Sequence, residues 1–93
     1  MTVFARVPGL RVEAVGGAWA AFSPASGETL LLNDTSAAIL EVLAEEPLAI
    51  AAVADRLAAD SGVPKGDVAA LLADHWPQLV EAGLVRQAGQ APA

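Results

Sequence analysis

The sequence predicts an α+β domain: a three-stranded antiparallel sheet followed by three helices, in a winged-helix-like layout. Three observations predict it. Residues 10–33 hold short alternating apolar and polar runs, separated by Gly16-Gly17 and by the turn-rich Ser23-Pro24-Ala25-Ser26-Gly27. From Ser36 onward the apolar residues recur at helical spacing instead. The two regimes meet at Leu32-Asn33-Asp34-Thr35, with no linker between them. A chain of 93 residues that changes regime once, without a linker, reads as one domain, set at residues 1–86 with a flexible tail at 87–93.

Residues 2–8 alternate weakly and stop at Pro8-Gly9, which makes them a lead-in or edge strand. In the next strand Leu10, Val12 and Ala14 share one face and Arg11 and Glu13 the other. Gly16-Gly17 closes it as a hairpin turn, because tight hairpins need positive φ. Ala18 to Phe22 form the second strand, with Trp19 and Phe22 on opposite faces. Glu28 to Asn33 form the third, with Leu31 on one face and Leu30 and Leu32 on the other.

Asn33, Asp34 and Thr35 are all good N-cap residues, and a helix is predicted from Ser36 to Ala44. After Pro47, Ile50, Val53, Ala54 and Leu57 give a second helix from about Ile50 to Asp60, carrying Asp55, Arg56 and Asp60 on its polar face. Gly62 and Pro64 mark the next break. The third helix begins near Lys65 to Asp67, places Val68, Leu71, Leu72, Trp76, Leu79 and Val80 on one stripe, and ends at Gly83. Pro77 within it predicts a kink or two shorter helices. Leu84-Val85-Arg86 is expected to pack back as a short apolar tail, and Gln87 to Ala93 to fray.

The composition excludes several functions. The net charge is −6, and the five basic residues are scattered along the chain, so a phosphate backbone would be repelled and no nucleic-acid partner is expected. Without cysteine there is neither a disulfide framework nor a thiolate metal site. His75 is the one histidine, and Asp60, Asp67 and Asp74 read as solvated or dipole-facing carboxylates, so no metal site is expected. Ser23, Ser26, Ser36 and Ser61 lie in turn or cap contexts, and no glycines form a phosphate-cradling loop. Catalytic residues, cofactors and enzymatic activity are therefore not expected. No apolar run approaches a membrane span and no signal peptide is recognisable, which gives a soluble, cytoplasmic expectation.

The run Leu31-Leu32-Asn33-Asp34-Thr35-Ser36-Ala37-Ala38-Ile39-Leu40-Glu41-Val42-Leu43, then Asp67-Val68, then Leu79 followed by Gly83-Leu84-Val85, closely resembles the PqqD-like family. Members read approximately Leu-Asn-Glu-Thr-Ala-Ala-x-Ile-Trp-x-Leu-Leu over the first of these runs. The resemblance covers roughly residues 10–86. It implies a peptide chaperone, a recognition element that holds the leader of a ribosomally made precursor and presents it to a modifying enzyme. It also implies that the leader adds as a strand to the third strand, along Glu28, Thr29, Leu30, Leu31, Leu32 and Asn33. The third helix would complete the cleft with Val68, Leu71, Leu72 and His75. Departures from the family pattern are Leu40 where the signature has Trp, Trp76-Pro77 in the last helix, and a second helix without a Ser or Thr cap. They resemble the branch that accompanies HPr-kinase-related proteins.

Two readings of Leu30–Leu32 stay open at this stage. All three leucines are core, or the strand presents an open edge to a peptide. Asn33 to Thr35 read as helix caps before they read as ligand contacts. Two other classes share the layout: a winged-helix nucleic-acid binder, and a structural homodimer that pairs two open strand edges.

Overall fold

The computed structural model describes residues 2–24 and 27–90, and Met1, Ala25, Ser26 and residues 91–93 lie outside that range. Five strands and three helices follow one another as β1 (Thr2–Arg6), β2 (Arg11–Val15), β3 (Ala18–Ser23), β4 (Glu28–Leu32), α1 (Asp34–Leu43), α2 (Ile50–Ser61), α3 (Lys65–Glu81) and β5 (Val85–Gln90). The sheet read from the sequence is present as the antiparallel order β2-β3-β4. Gly16 and Gly17, with φ of 55° and 85°, make its first hairpin turn. Positive φ at both central positions lets the turn follow the twist of the strands. Register pairs Val12 with Ala21 and Ala21 with Leu30. These three share the face that packs on the helices, whereas Arg11, Phe22 and Thr29 share the other.

The sequence reading needs correction at the C-terminal end, and at the N-terminal end the lead-in or edge strand finds its partner there. β1 does not join the main sheet. It pairs antiparallel with β5 in a separate two-stranded ribbon, with Arg6 opposite Val85 and Thr2 opposite Gln90. Residues 87–90, expected to fray, are therefore strand. Phe4 is also bridged on its other side, donating to Leu48 O at 2.8 Å and accepting from Leu48 N at 3.0 Å. Leu84 and Val85 are fully buried, as their apolar character predicts.

The helices enclose a core centred on Ile39, Leu40, Val53 and Leu72. α1 is capped as the sequence indicates: Asn33 Oδ1 accepts from Ser36 N at 2.8 Å. The third strand thus ends at Leu32, and Asn33 belongs to the helix start. The carbonyl of Leu40, in the last turn of α1, accepts from the Arg6 guanidinium at 3.2 Å, and Leu10 O accepts from the same side chain at 2.7 Å. A cation at this end complements the helix dipole and ties β1 to α1. Burial lowers the Arg6 pKa from its ordinary value.

α2 ends at Gly62, whose φ of 74° is the left-handed conformation that stops a helix. A short turn leads through Pro64 into α3, which runs unbroken through Pro77. Pro77 and Ala73 are both exposed, so the backbone hydrogen bond that Pro77 cannot donate to Ala73 is lost on the outer side of the helix and not in the core. The buried stripe of α3 is narrower than predicted. Val68, Leu72, Trp76 and Leu79 are buried, but Leu71 and Val80 are exposed. Trp76 packs edge-on against Phe4, with ring centroids 5.3 Å apart, and so binds α3 to the ribbon.

Candidate functional site

β4 has one hydrogen-bonded neighbour, β3, and its other edge carries no strand among the described residues. Such an edge exposes alternate backbone N–H and C=O groups to a partner chain. The three leucines behave differently. Leu30 and Leu32 turn inward and pack against the core, whereas Leu31 is 80% exposed. The reading in which all three are core is thereby overturned, and the cause is the period of two: Leu30 and Leu32 share the face that meets the core and Leu31 takes the other. Phe22 and Val15, on the same outer face as Leu31, are also exposed, and Thr29 lies beside them on β4.

The strand leads directly into the first turn of α1. Asp34 Oδ1 accepts from Trp19 Nε1 at 3.0 Å, which ties the sheet to the helix start and holds a carboxylate where the helix dipole favours it. Asp34 and Thr35 then begin a groove of about 520 Å³ between the three helices. Its floor is apolar, built from Ala38 and Val42 of α1, Leu57 of α2 and Val68, Leu71 and Leu72 of α3. Val68 and Leu72 are buried members of that floor, and Leu71 rises from it with 44% exposure.

Of the sequence-predicted residues, the structure brings Val68, Leu71 and Leu72 together in this groove. Glu28 to Leu32 form the neighbouring strand edge, and Asn33 caps the helix between the two. β4 packs on β3 and α1, and α3 packs on α1, α2 and β5, so α1 is the element that the edge strand and the helix wall both contact. His75 is not part of the groove lining. Its Nδ1 lies 2.8 Å from Leu71 O, one turn back on its own helix. Sequence reasoning missed Ala38, Val42, Leu57 and Val63. The first three alternate with charged neighbours on amphipathic helices, and the signal available was the second, outward stripe of α1, Ala38, Glu41, Val42 and Glu45, at helical spacing.

The groove's rim is acidic. Glu41 and Asp60 have no ion-pair partner among the described residues, while Glu45 is matched by Arg56 at 2.6 Å. The cations are largely committed elsewhere: Arg56 also meets Glu46 at 2.8 Å, Lys65 meets Asp55 at 2.7 Å, Arg11 meets Glu13 at 2.7 Å, and Arg6 is spent on backbone carbonyls. Among the described residues no group of three or more His, Asp or Glu side chains is arranged to hold a metal ion. No helix there is long and apolar enough to cross a membrane.

The sequence profile of the helix-turn-helix domain family matches residues 31–88, from the end of β4 into β5. No curated protein sequence matches the chain. Among solved structures, that of TbiB1 in complex with the TbiA(beta) leader peptide shares the fold. Its TM-score is 0.68 at 17% sequence identity, over 95% of this chain and 99% of that one.

Proposed function

The chain belongs to the helix-turn-helix domain family, and from the open strand edge that it carries on this fold we propose that it is a peptide-binding protein, not an enzyme. In this reading it holds the leader of a ribosomally made precursor and presents it to a modifying enzyme. The observation that carries the proposal is the open edge of β4 with Leu31 standing 80% exposed on it. A peptide added to this edge gains backbone hydrogen bonds for affinity. Its alternate side chains line up beside Leu31 on the outer face and toward Leu30 and Leu32 on the inner one. Covering Leu31 is worth about 2 kcal/mol, more than a tenfold gain in affinity. The likeness in fold to a protein solved with a leader peptide bound supports the same reading, as does the PqqD-like signature across Leu31–Leu43. Peptide contacts are assigned to Glu28, Thr29, Leu30, Leu31 and Leu32 along the edge, and to Leu71 over Val68 and Leu72 on the helix wall.

The family match favours a second reading, nucleic-acid binding through α3. The electrostatics oppose it. Asp67, Asp74 and Glu81 lie exposed along α3, and its one cation, Lys65, is already paired with Asp55. With Arg6, Arg11 and Arg56 engaged as well, Arg86 alone among the described residues is left to meet phosphate.

One titration separates the two. Isotope-labelled protein is mixed with the N-terminal segment of a short precursor encoded beside its gene and, separately, with a DNA duplex at moderate salt. The expected result is saturable shifts of the Thr29 to Leu32 amides with peptide and none with DNA. Peptide binding that leaves those amides in place removes strand addition. Salt-dependent shifts along α3 with duplex would establish the second reading.

A further inference from the structure

The groove between α1, α2 and α3 extends beyond the wall of Val68, Leu71 and Leu72 to a charged rim that the peptide reading above leaves unused. It opens at Asp34 and Thr35, the two residues that immediately follow β4 and its capping Asn33. A peptide lying along β4 and continuing past the strand's C-terminal end therefore runs into it. The floor offers Leu71 and Val63, 44% and 39% exposed, above buried Val68 and Leu72. These surfaces select apolar side chains. The rim selects charge: Asp34, Glu41 and Asp60 are exposed members of the lining, and the one cation in it, Arg56, is held by Glu45 and Glu46. A carboxylate entering here meets repulsion from three sides, and a cation gains electrostatic attraction and a faster encounter.

We propose that the bound peptide carries, beyond its strand-forming segment, apolar anchor residues flanked by Lys or Arg that occupy this groove. The inference rests on the peptide reading above and deepens it by naming the chemistry of the recognised segment. It also gives the acidic balance of the chain a role in choosing partners, since the same rim rejects acidic peptides.

The test is a random-peptide display selection on the intact protein at low salt, followed by titration of the enriched peptides. The expected sequences pair a β-forming stretch with an apolar, net-positive flank. Two variants read the groove without disturbing the core: the double charge reversal Glu41→Lys with Asp60→Lys, and Leu71→Ser, all at exposed positions. The charge reversal should weaken an enriched basic peptide about tenfold and abolish most of its salt dependence. Leu71→Ser should weaken it about three- to tenfold at any salt. In both, the Thr29 to Leu32 amide shifts should persist at saturation. Enriched peptides without basic bias, or affinities unmoved by both variants, overturn the groove while leaving strand addition intact. Peptides that bind and respond to the variants but never shift the β4 amides overturn strand addition instead. An empty selection removes both.

Discussion

β1 and β4 are strands of equal length that have met opposite fates. β1 is paired on both sides, by β5 along its length and by Leu48 at Phe4, and its aromatic ring is locked against Trp76. β4 is paired with β3 alone and holds Leu31 in solvent. A protein has every reason to close its edges, because open ones invite association. This chain has the means to do so, since it uses residues 85–90 to close one. The difference teaches that the chain's last strand closes the edge of β1 and leaves that of β4 available for pairing.

The largest expected effect breaks the closed side. Trp76 is buried and holds Phe4 edge-on, so Trp76→Ala should cost about 3–5 kcal/mol in urea unfolding. A loss below about 1 kcal/mol would mean that the ribbon is not anchored through this contact. Next comes removal of residues 87–93, which strips Phe4, Val3 and Thr2 of their β5 partners. The expected cost is about 1–3 kcal/mol, with the β1 amides losing hydrogen-exchange protection and those of β3 keeping theirs. Unchanged protection in β1 would show that the Leu48 bridge suffices. A smaller effect belongs to the junction. Asn33→Ala removes the 2.8 Å cap of Ser36 N and should cost about 1 kcal/mol, seen as a lowered midpoint with the m-value unchanged.

The same contrast explains how much was legible in the sequence. Local signals placed β2, β3, β4 and all three helices: alternation around Val12 and Leu31, two glycines at the hairpin, Asn33 before an apolar helix, Gly62 after one. Nothing local marks Gln87 to Gln90 as a strand, because their β character comes from pairing with a segment at the far end of the chain. Residues 2–8 read only as a lead-in or edge strand, and their partners are likewise distant in sequence: β5 pairs with β1, and Arg6 and Phe4 hold it against the helices. At the candidate site, the faces of Leu30, Leu31 and Leu32 follow from the period of two, and Val68 and Leu72 from helical spacing. That β4 stands at an edge depends on where every other strand goes. So does the groove, which exists only once α1, α2 and α3 have packed, and whose lining includes Val68, Leu71 and Leu72 of the expected wall while His75 turns its Nδ1 to the Leu71 carbonyl.

The smallest expected effect on stability is also the sharpest test of what the open edge is for. Leu31→Ser changes a side chain that touches little in the folded chain, so its stability should shift by no more than about 0.5 kcal/mol. If Leu31 served only the fold, nothing else would change. Under strand addition it is the residue beside which every second peptide side chain must pack, and its replacement should weaken peptide binding about tenfold while α3 and the ribbon keep their amide spectra. Light scattering on the same variant separates the remaining use of the edge. A wild-type dimer that becomes monomeric with Leu31→Ser would mean that two β4 edges pair with each other, and that peptide must compete with a second copy for the same backbone. A wild-type chain that is monomeric at high concentration leaves the edge to a different partner. The leucine that costs the fold least to lose is then the one that recognition depends on most.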